Sequence, residues 1–232
     1  MRKFILLGML GFMALITSCS QSEEIFYSCD KTQDEWVKEN LSEIRQMTRS
    51  EWLQVDDETL ARPIYRAFTP KQRIAFWKDR FQEIKDLPWS DAELAHIQAA
   101  ENFMNSHLDF FYDELLSEEE DELELFFYKW QKFGIEQLGW KPSVALAIVT
   151  SGYKLKNVKG EVEIPNSKIT RNATMSNRSE STSNKCDCNV GLINSCGLYN
   201  MECIETSCDI TYGCGALWLQ DCEGECLYDN YI

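Results

Sequence analysis

The chain has 232 residues, of which 44% are hydrophobic and 12% aromatic. That length and composition suit one globular domain with an appendage, or two small domains. The formal net charge is -15, whereas a nucleic-acid-binding protein needs a basic stripe to neutralise phosphates. Lys and Arg are scattered along the chain, so we expect no nucleic-acid partner.

Residues 1–18 have the features of an export signal. A positive start is followed by an apolar stretch that is too short for a comfortable transmembrane span. The stretch 16–19, Ile-Thr-Ser-Cys, resembles a lipobox, the site at which bacterial lipoproteins are cleaved and lipidated. The resemblance implies a lipid on Cys19, which would be the membrane anchor, and residues 19–29 are then expected to form a tether.

The residues after Cys19 bear on location. Ser20 resembles the second mature residue of lipoproteins sorted to the outer membrane of Gram-negative cells, and the acidic stretch 21–24 loosely resembles tethers of surface-displayed lipoproteins. We therefore expect the protein to be located in the cell envelope, at the outer membrane. The sequence leaves open whether it is exposed on the cell surface. A chain this acidic would not adhere to an anionic membrane by itself, so the lipid would have to hold it there.

Residues 30–150 carry repeated helix signals. Four segments fit the capping-box pattern, in which Ser or Thr stands three residues before Glu or Gln. They begin at Thr32, Thr69, Ser90 and Ser117. After each start, apolar residues recur at intervals of three and four, as on one face of a helix. Shorter helices are expected near 50–67 and 142–150, the last one buried because it is apolar on all sides. We predict an all-α helical bundle domain.

Residues 151–185 are predicted to be a polar linker. Val158, Val162 and Ile164 give a hint of alternation that would allow one strand. Residues 166–185 offer almost nothing to bury, which is typical of a flexible tether. Their four basic residues would be open to trypsin-like cleavage, although a spacer without a processing role is favoured.

Residues 186–232 are rich in cysteine, and so short a segment needs covalent cross-links to fold. Its eight cysteines are Cys186, Cys188, Cys196, Cys203, Cys208, Cys214, Cys222 and Cys226. Zinc is the competing explanation, but the segment lacks the C-x₂-C pairs that zinc sites usually show. An exported chain also meets an oxidising compartment. We predict four disulfides within a small disulfide-rich C-terminal module, with the connectivity open among 105 pairings.

Cys29 is left over once these eight have paired. It would be a free thiol, an intermolecular bridge or a partner in a reshuffled set, and a buried, inert thiol is favoured. Three apolar side chains of the module, Leu217, Trp218 and Tyr228, are predicted to be exposed contact residues. The alternative for Trp218 is packing across the cystines.

Sequence motifs of enzymes are absent. The chain has no GxSxG, HExxH, phosphate-binding Gly-rich loop or GxGxxG after a strand, and it has only two histidines. We therefore expect no catalytic residues, no metal site and no cofactor.

Several segments of the chain resemble one known family. They are Cys186-Asp187-Cys188, the stretch 213–218 running on to Cys222, and the stretches 50–53, 64–72 and 89–97. In these segments the chain resembles the bacteriocin fulvocin C-related proteins, and the resemblance implies a bacteriocin-like peptide in the C-terminal module.

Fold and resemblance together lead to two functional hypotheses. The fold class is predicted to be mainly α, a helical bundle domain followed by the disulfide-rich module. The first hypothesis is a cell-envelope lipoprotein that presents the module to an unknown protein partner. The alternative is an antibacterial effector, released or displayed at the cell surface. From Cys186 to Ile232 there are eight acidic residues and no Lys or Arg, whereas peptides that attack anionic membranes are usually cationic.

Overall fold

The computed structural model describes residues 25–163 and 186–228, and for residues 208, 209 and 211 it describes the backbone alone. The predicted signal peptide, the lipidation site Cys19, most of the predicted tether and most of the predicted linker lie outside the described residues.

Helices dominate the first of these two ranges. They are α1 (Lys31–Glu39), α2 (Leu41–Ile44), α3 (Arg49–Trp52), α4 (Ala61–Ala67), α5 (Pro70–Lys85), α6 (Asp91–Ser106), α7 (Ser117–Leu138) and α8 (Pro142–Val149). Short 3₁₀-helices cover Glu58–Leu60, Leu108–Phe111, Ser195–Tyr199 and Ala216–Trp218. Within the described ranges, no helix has both the length and the apolar character that crossing a bilayer requires.

Two of the four predicted helix starts are confirmed in detail. The Thr69 and Ser90 hydroxyls accept from the backbone N–H three residues later, and the side chains of Gln72 and Glu93 accept in return. α1 begins earlier than expected, because the Asp30 carboxylate caps it. α7 begins at Ser117 itself, which is therefore its first helical residue and not its cap.

α5 lies at the centre of the core. Phe76, Trp77, Phe81 and Ile84 are buried at helical spacing, each with 1% or less of its surface exposed. The last predicted helix is also confirmed as buried, because every residue from Val144 to Val149 in α8 is hidden from solvent. Burying one such aromatic or aliphatic side chain contributes about 1.5–3 kcal/mol.

Two buried arginines attach α5 to the end of α8. Arg80 donates to the carbonyls of Ala147 and Ser151, both at 3.1 Å, and pairs with Glu83. Arg49 donates to the carbonyl of Gly152 and also pairs with Glu83. A cation at a helix C-terminus meets the negative end of the helix dipole, so these arginines stabilise the turn that follows α8.

Strands make the fold class mixed, and the prediction of a mainly α chain with a purely helical bundle is wrong. Of the residues that the structure describes, 56% are helical and 13% lie in strands, with two small antiparallel sheets and a disulfide-rich C-terminal region. The first sheet pairs β1 (Lys154–Leu155) with β2 (Val162–Glu163), and the second pairs β3 (Glu202–Cys214) with β4 (Gln220–Leu227).

The composition of β3 indicates the β3–β4 hairpin, which the sequence analysis missed. β3 contains the β-branched residues Ile204, Thr206, Ile210 and Thr211, which favour strands. In the structure Cys203 stands opposite Cys226 in the register of the two strands, and the register shifts on both sides of Ile210. Those irregularities interrupt the period-two pattern, so the composition of the segment indicates a strand while its spacing does not.

Candidate interaction surface

Trp218 fixes the C-terminal segment (residues 186–228) to the helices. Its indole Nε1 donates to the carbonyl of Thr150 at 2.8 Å. Its ring makes edge contacts with Tyr65, Trp52 and Trp77, with centroids 4.7, 5.9 and 5.8 Å away. Only 2% of Trp218 is exposed. The main hydrophobic core therefore includes side chains from both parts of the chain.

The backbone around Trp218 is bent to bring the ring into that core. Leu217 and Trp218 have φ of 53° and 55°, in the left-handed region that residues other than glycine rarely occupy. Gly152 gives the ring room, because a Cβ at that position would lie 2.8 Å from the Trp218 ring. Backbone strain of this kind costs about 1–3 kcal/mol per residue and persists when the surroundings compensate for it. Burial of the indole in an aromatic core supplies that compensation.

Arg66, on α4, binds three backbone carbonyls from separate segments. It donates to Tyr27 at 3.1 Å, to Cys186 at 2.8 Å and to Tyr212 at 3.2 Å. Burial, and then repulsion from Arg62, lowers the pKa of Arg66 from 12.5 to about 9. The side chain therefore still carries its charge at neutral pH, and its hydrogen bonds hold three segments at one point.

Arg62, one turn earlier on α4, adds a second attachment. Its guanidinium lies over the Trp218 ring at 4.8 Å and donates to the carbonyl of Gly213 at 2.5 Å and to the Ser195 hydroxyl at 3.1 Å. A cation over the face of a tryptophan is a favourable arrangement. Together the two arginines bind the C-terminal segment from the same helix face.

Disulfide bonds are confirmed, but one pairing corrects the prediction. Among the described side chains, bridges join Cys188 to Cys203, Cys196 to Cys226, and Cys214 to Cys222, and a fourth joins Cys29 to Cys186. The favoured interpretation of Cys29 as a buried, inert thiol is therefore wrong, and the alternative of a partner in a reshuffled set is the one that the structure shows, so the eight C-terminal cysteines do not pair only among themselves. Tyr27 and α1 pack near Arg66, which places Cys29 beside Cys186. The side chain of Cys208 lies outside the described residues.

Two of the three predicted contact residues are not exposed, and for them the prediction is wrong. Leu217 is 1% and Trp218 is 2% exposed, because both contribute to the core shared with the helices. The alternative, that Trp218 packs across the cystines, also differs from the structure, since its ring neighbours come from α3, α4 and α5. Tyr228 is 53% exposed.

Apolar exposure occurs instead at the start of the C-terminal segment. Val190 is 47% and Leu192 is 61% exposed. They line an open groove of about 380 Å³ together with Gln131 of α7, Leu146 of α8 and Met201. That volume is at the small end of the range for ligand sites. The groove is the candidate interaction surface.

The groove is bordered by acidic groups. Glu202 lines it directly. Glu223 accepts from the backbone N–H of Val190 at 3.1 Å. At the far end of α7, partial burial and then repulsion from Glu114, Glu120 and Glu223 raises the pKa of Asp221 from 3.8 to about 6. Asp221 does not line the groove, so its raised pKa describes the surroundings of the start of α7 and not the groove.

Sequence reasoning missed the two arginines and the groove. Arg62 and Arg66 stand four residues apart among the apolar residues of α4, at positions where a solvated side chain would not be expected. That placement was the available signal. Nothing in the sequence indicated the groove, because its walls come from segments that are about 60 residues apart along the chain.

The chain was compared with models of protein families, with curated proteins and with solved structures, and none of them matches it.

Proposed function

We propose that the protein is an exported lipoprotein, held in the cell envelope by a lipid on Cys19, that binds a protein partner through the groove between α7 and the C-terminal segment. Cys19 and the lipobox-like stretch 16–19 support the anchor. The exposed Val190 and Leu192, held against a helix, support the binding role. Exposed apolar side chains in one groove are a usual mark of a contact site.

The observation that carries the proposal is the attachment of the C-terminal segment to the helices. Trp218 lies in the helical core and Cys186 is bonded to Cys29. The segment is therefore held in one orientation, and Val190 and Leu192 stand at a fixed place beside α7. A fixed surface loses little conformational entropy when a partner binds, which favours affinity.

A bacteriocin-like effector is the second candidate, either released from the protein or displayed on it. The Cys29–Cys186 bridge and the burial of Trp218 bear differently on these two forms. Cleavage within 166–185 would leave the segment bonded to the rest of the chain through Cys29–Cys186. Release would therefore also require reduction of that bridge and withdrawal of Trp218 from the core. An effector displayed on the intact protein needs neither step and is compatible with the fold.

The lipid anchor is tested by replacing Cys19 with alanine in the native cell. We expect labelled palmitate to be incorporated into the natural protein and not into the Cys19→Ala variant, and we expect the natural protein to fractionate with the outer membrane. Equal labelling of both proteins, or recovery of the natural protein in the soluble fraction, would refute the anchor.

The binding role is tested by photo-crosslinking in the same cells. A photoreactive amino acid at position 192 should link to a protein that mass spectrometry can identify. The matched control carries it at position 125, where Leu125 is 52% exposed and does not line the groove. Linking to the same proteins from both positions, or none from position 192, would refute binding through the groove.

A further inference from the structure

The C-terminal segment contacts α7 closely beside the groove. Gly191 lies so close to α7 that a Cβ on it would stand 1.8 Å from the Glu124 carboxylate. A side chain at this position would displace the end of the Glu124 side chain, and the contact lies between Val190 and Leu192 in the chain. Tyr128, 40% exposed, lies one turn from both Glu124 and Gln131 on the same face of α7. Of these residues, Val190, Leu192 and Gln131 line the groove.

The apolar wall is held by hydrogen bonds and a disulfide. Asn189 donates through Nδ2 to the carbonyl of Asp221 at 3.1 Å and to Glu223 at 3.0 Å. The backbone N–H of Val190 donates to the same Glu223 carboxylate. Cys188, two residues before Val190, is bonded to Cys203, which lines the groove. The exposed valine and leucine are thus fixed in place before any partner arrives.

The charged side chain that lines the groove is acidic. The C-terminal wall belongs to a segment without Lys or Arg from residue 186 to residue 232. Glu202 lines the groove, and Glu124 and Glu223 flank the apolar wall. The α7 residue that lines the groove, Gln131, is uncharged. An occupant with basic groups beside its apolar residues would therefore gain from attraction, whereas an acidic occupant would be repelled.

Building on the proposed function, we propose that the groove binds a segment of a partner protein in which apolar side chains are flanked by Lys or Arg. The apolar residues lie against Val190, Leu192 and Leu146, and the basic residues meet Glu202 and Glu124. A second copy of this chain is disfavoured by charge, since each copy has a net charge of -15. The chain's own residues 164–185, which are basic, are the competing occupant that the experiment must distinguish.

The test uses full-length protein purified from the membrane fraction and fluorescent peptides measured by anisotropy. One short peptide has leucines flanked by lysines, and its matched counterpart has glutamates in place of the lysines. We expect the lysine peptide to bind and the glutamate peptide to bind at least about tenfold more weakly. We also expect the affinity for the lysine peptide to fall as salt is added, because exposed charges are screened.

Two variants and a control locate the binding. Leu192→Ser should weaken the lysine peptide about tenfold, the ratio expected for losing one apolar contact. Glu202→Lys should weaken the lysine peptide and strengthen the glutamate peptide. Leu125→Ser, a matched change at an exposed leucine outside the groove, should leave both affinities within about twofold, since distant surface substitutions have small effects.

Three results would overturn the proposal. The first is equal binding of the two peptides, and the second is an equal loss of affinity in Leu192→Ser and Leu125→Ser. The third is displacement of the lysine peptide by a synthetic peptide of residues 164–185 at lower concentration, which would assign the groove to the chain itself. Crosslinking from position 192 in cells combined with no preference between peptides would refute the partner chemistry and leave the binding role standing.

Discussion

The helices and the C-terminal segment achieve a fixed structure in different ways. The helices bury a large apolar core of their own, centred on α5 with Phe76, Trp77 and Phe81. The C-terminal segment buries a small cluster made of Cys186, Ile210, Cys214 and Cys222. It gains the remainder of its stability from disulfides and from side chains, such as Trp218, that enter the helical core.

The difference shows why a short cysteine-rich segment need not be an independent unit. A segment of this size cannot bury enough apolar surface to offset its conformational entropy. Cross-links lower the conformational entropy of the unfolded segment, and packing against the helices buries apolar surface that the segment could not bury alone. In this protein the two solutions coincide at Cys186, which is bonded to Cys29 and whose carbonyl accepts from Arg66.

The largest expected effect is that of removing the shared tryptophan. Trp218→Ala would leave a cavity among Tyr65, Trp52 and Phe76 and should lower the free energy of unfolding by about 4 kcal/mol. Urea unfolding followed by circular dichroism would measure it. Tyr228→Ala, at an exposed site, should change the same quantity by less than about 0.5 kcal/mol. Similar values for both variants would show that the segment does not share the helical core.

Breaking the bridge between the two regions should have the next largest effect. The double variant Cys29→Ser and Cys186→Ser should lose about 3 kcal/mol, because the unfolded chain is no longer constrained by a long loop. Changing both cysteines avoids a free thiol that could exchange with other bridges. In the natural protein, peptide mapping without reductant should recover the Cys29 peptide joined to that of Cys186. Alkylation of Cys29 in denatured, unreduced protein would contradict the bridge.

Arg66→Met should destabilise the protein by about 2 kcal/mol. The variant leaves the carbonyls of Tyr27, Cys186 and Tyr212 without their donor, and each unsatisfied buried group costs about 1–3 kcal/mol. Removal of a desolvated cation offsets part of that loss. Arg45→Met replaces an exposed arginine and should be nearly neutral. Equal urea midpoints for the two variants would show that Arg66 does not connect the regions.

The smallest effect concerns the half-buried carboxyl group of Asp221. The raised pKa of Asp221 means that its ionised form destabilises the fold, and this penalty appears as pH rises from 3.8 through about 6. Asp221→Asn should therefore stabilise the protein at pH 7 by about 1 kcal/mol, a value reduced for solvent screening at a half-exposed group. Unfolding at a pH well below 3.8 should show no difference. A gain of equal size at both pH values would exclude the ionised, partly buried carboxylate as its cause.

Local signals in the sequence predict much of the helical region. The capping boxes at Thr69 and Ser90 place two helix starts, and the apolar run 144–149 predicts a buried helix, because both depend on residues close together in the chain. The bridge from Cys29 to Cys186 could not be predicted, since it joins positions 157 residues apart. The burial of Trp218 was missed for the same reason. Its environment is created by residues on α3, α4 and α5, and a sequence window around residue 218 contains none of them.

The groove was likewise beyond sequence reasoning. Leu192 and Gln131 lie far apart along the chain. They come together in the groove where Gly191 contacts the side chain of Glu124. By contrast, the acidic character of its surroundings was visible in the composition of residues 186–232. Composition thus predicts the sign of the charge on the surface, and only the fold shows where that charge lies beside apolar side chains.

The most direct test of the shared core is hydrogen exchange across a range of low urea concentrations, measured by mass spectrometry on peptides from α5 and from residues 215–222. If the C-terminal segment and the helices form one cooperative unit, amides in both peptides should open with the same free energy and the same dependence on urea. Opening of residues 215–222 at a lower free energy, while the α5 amides stay protected, would contradict the account.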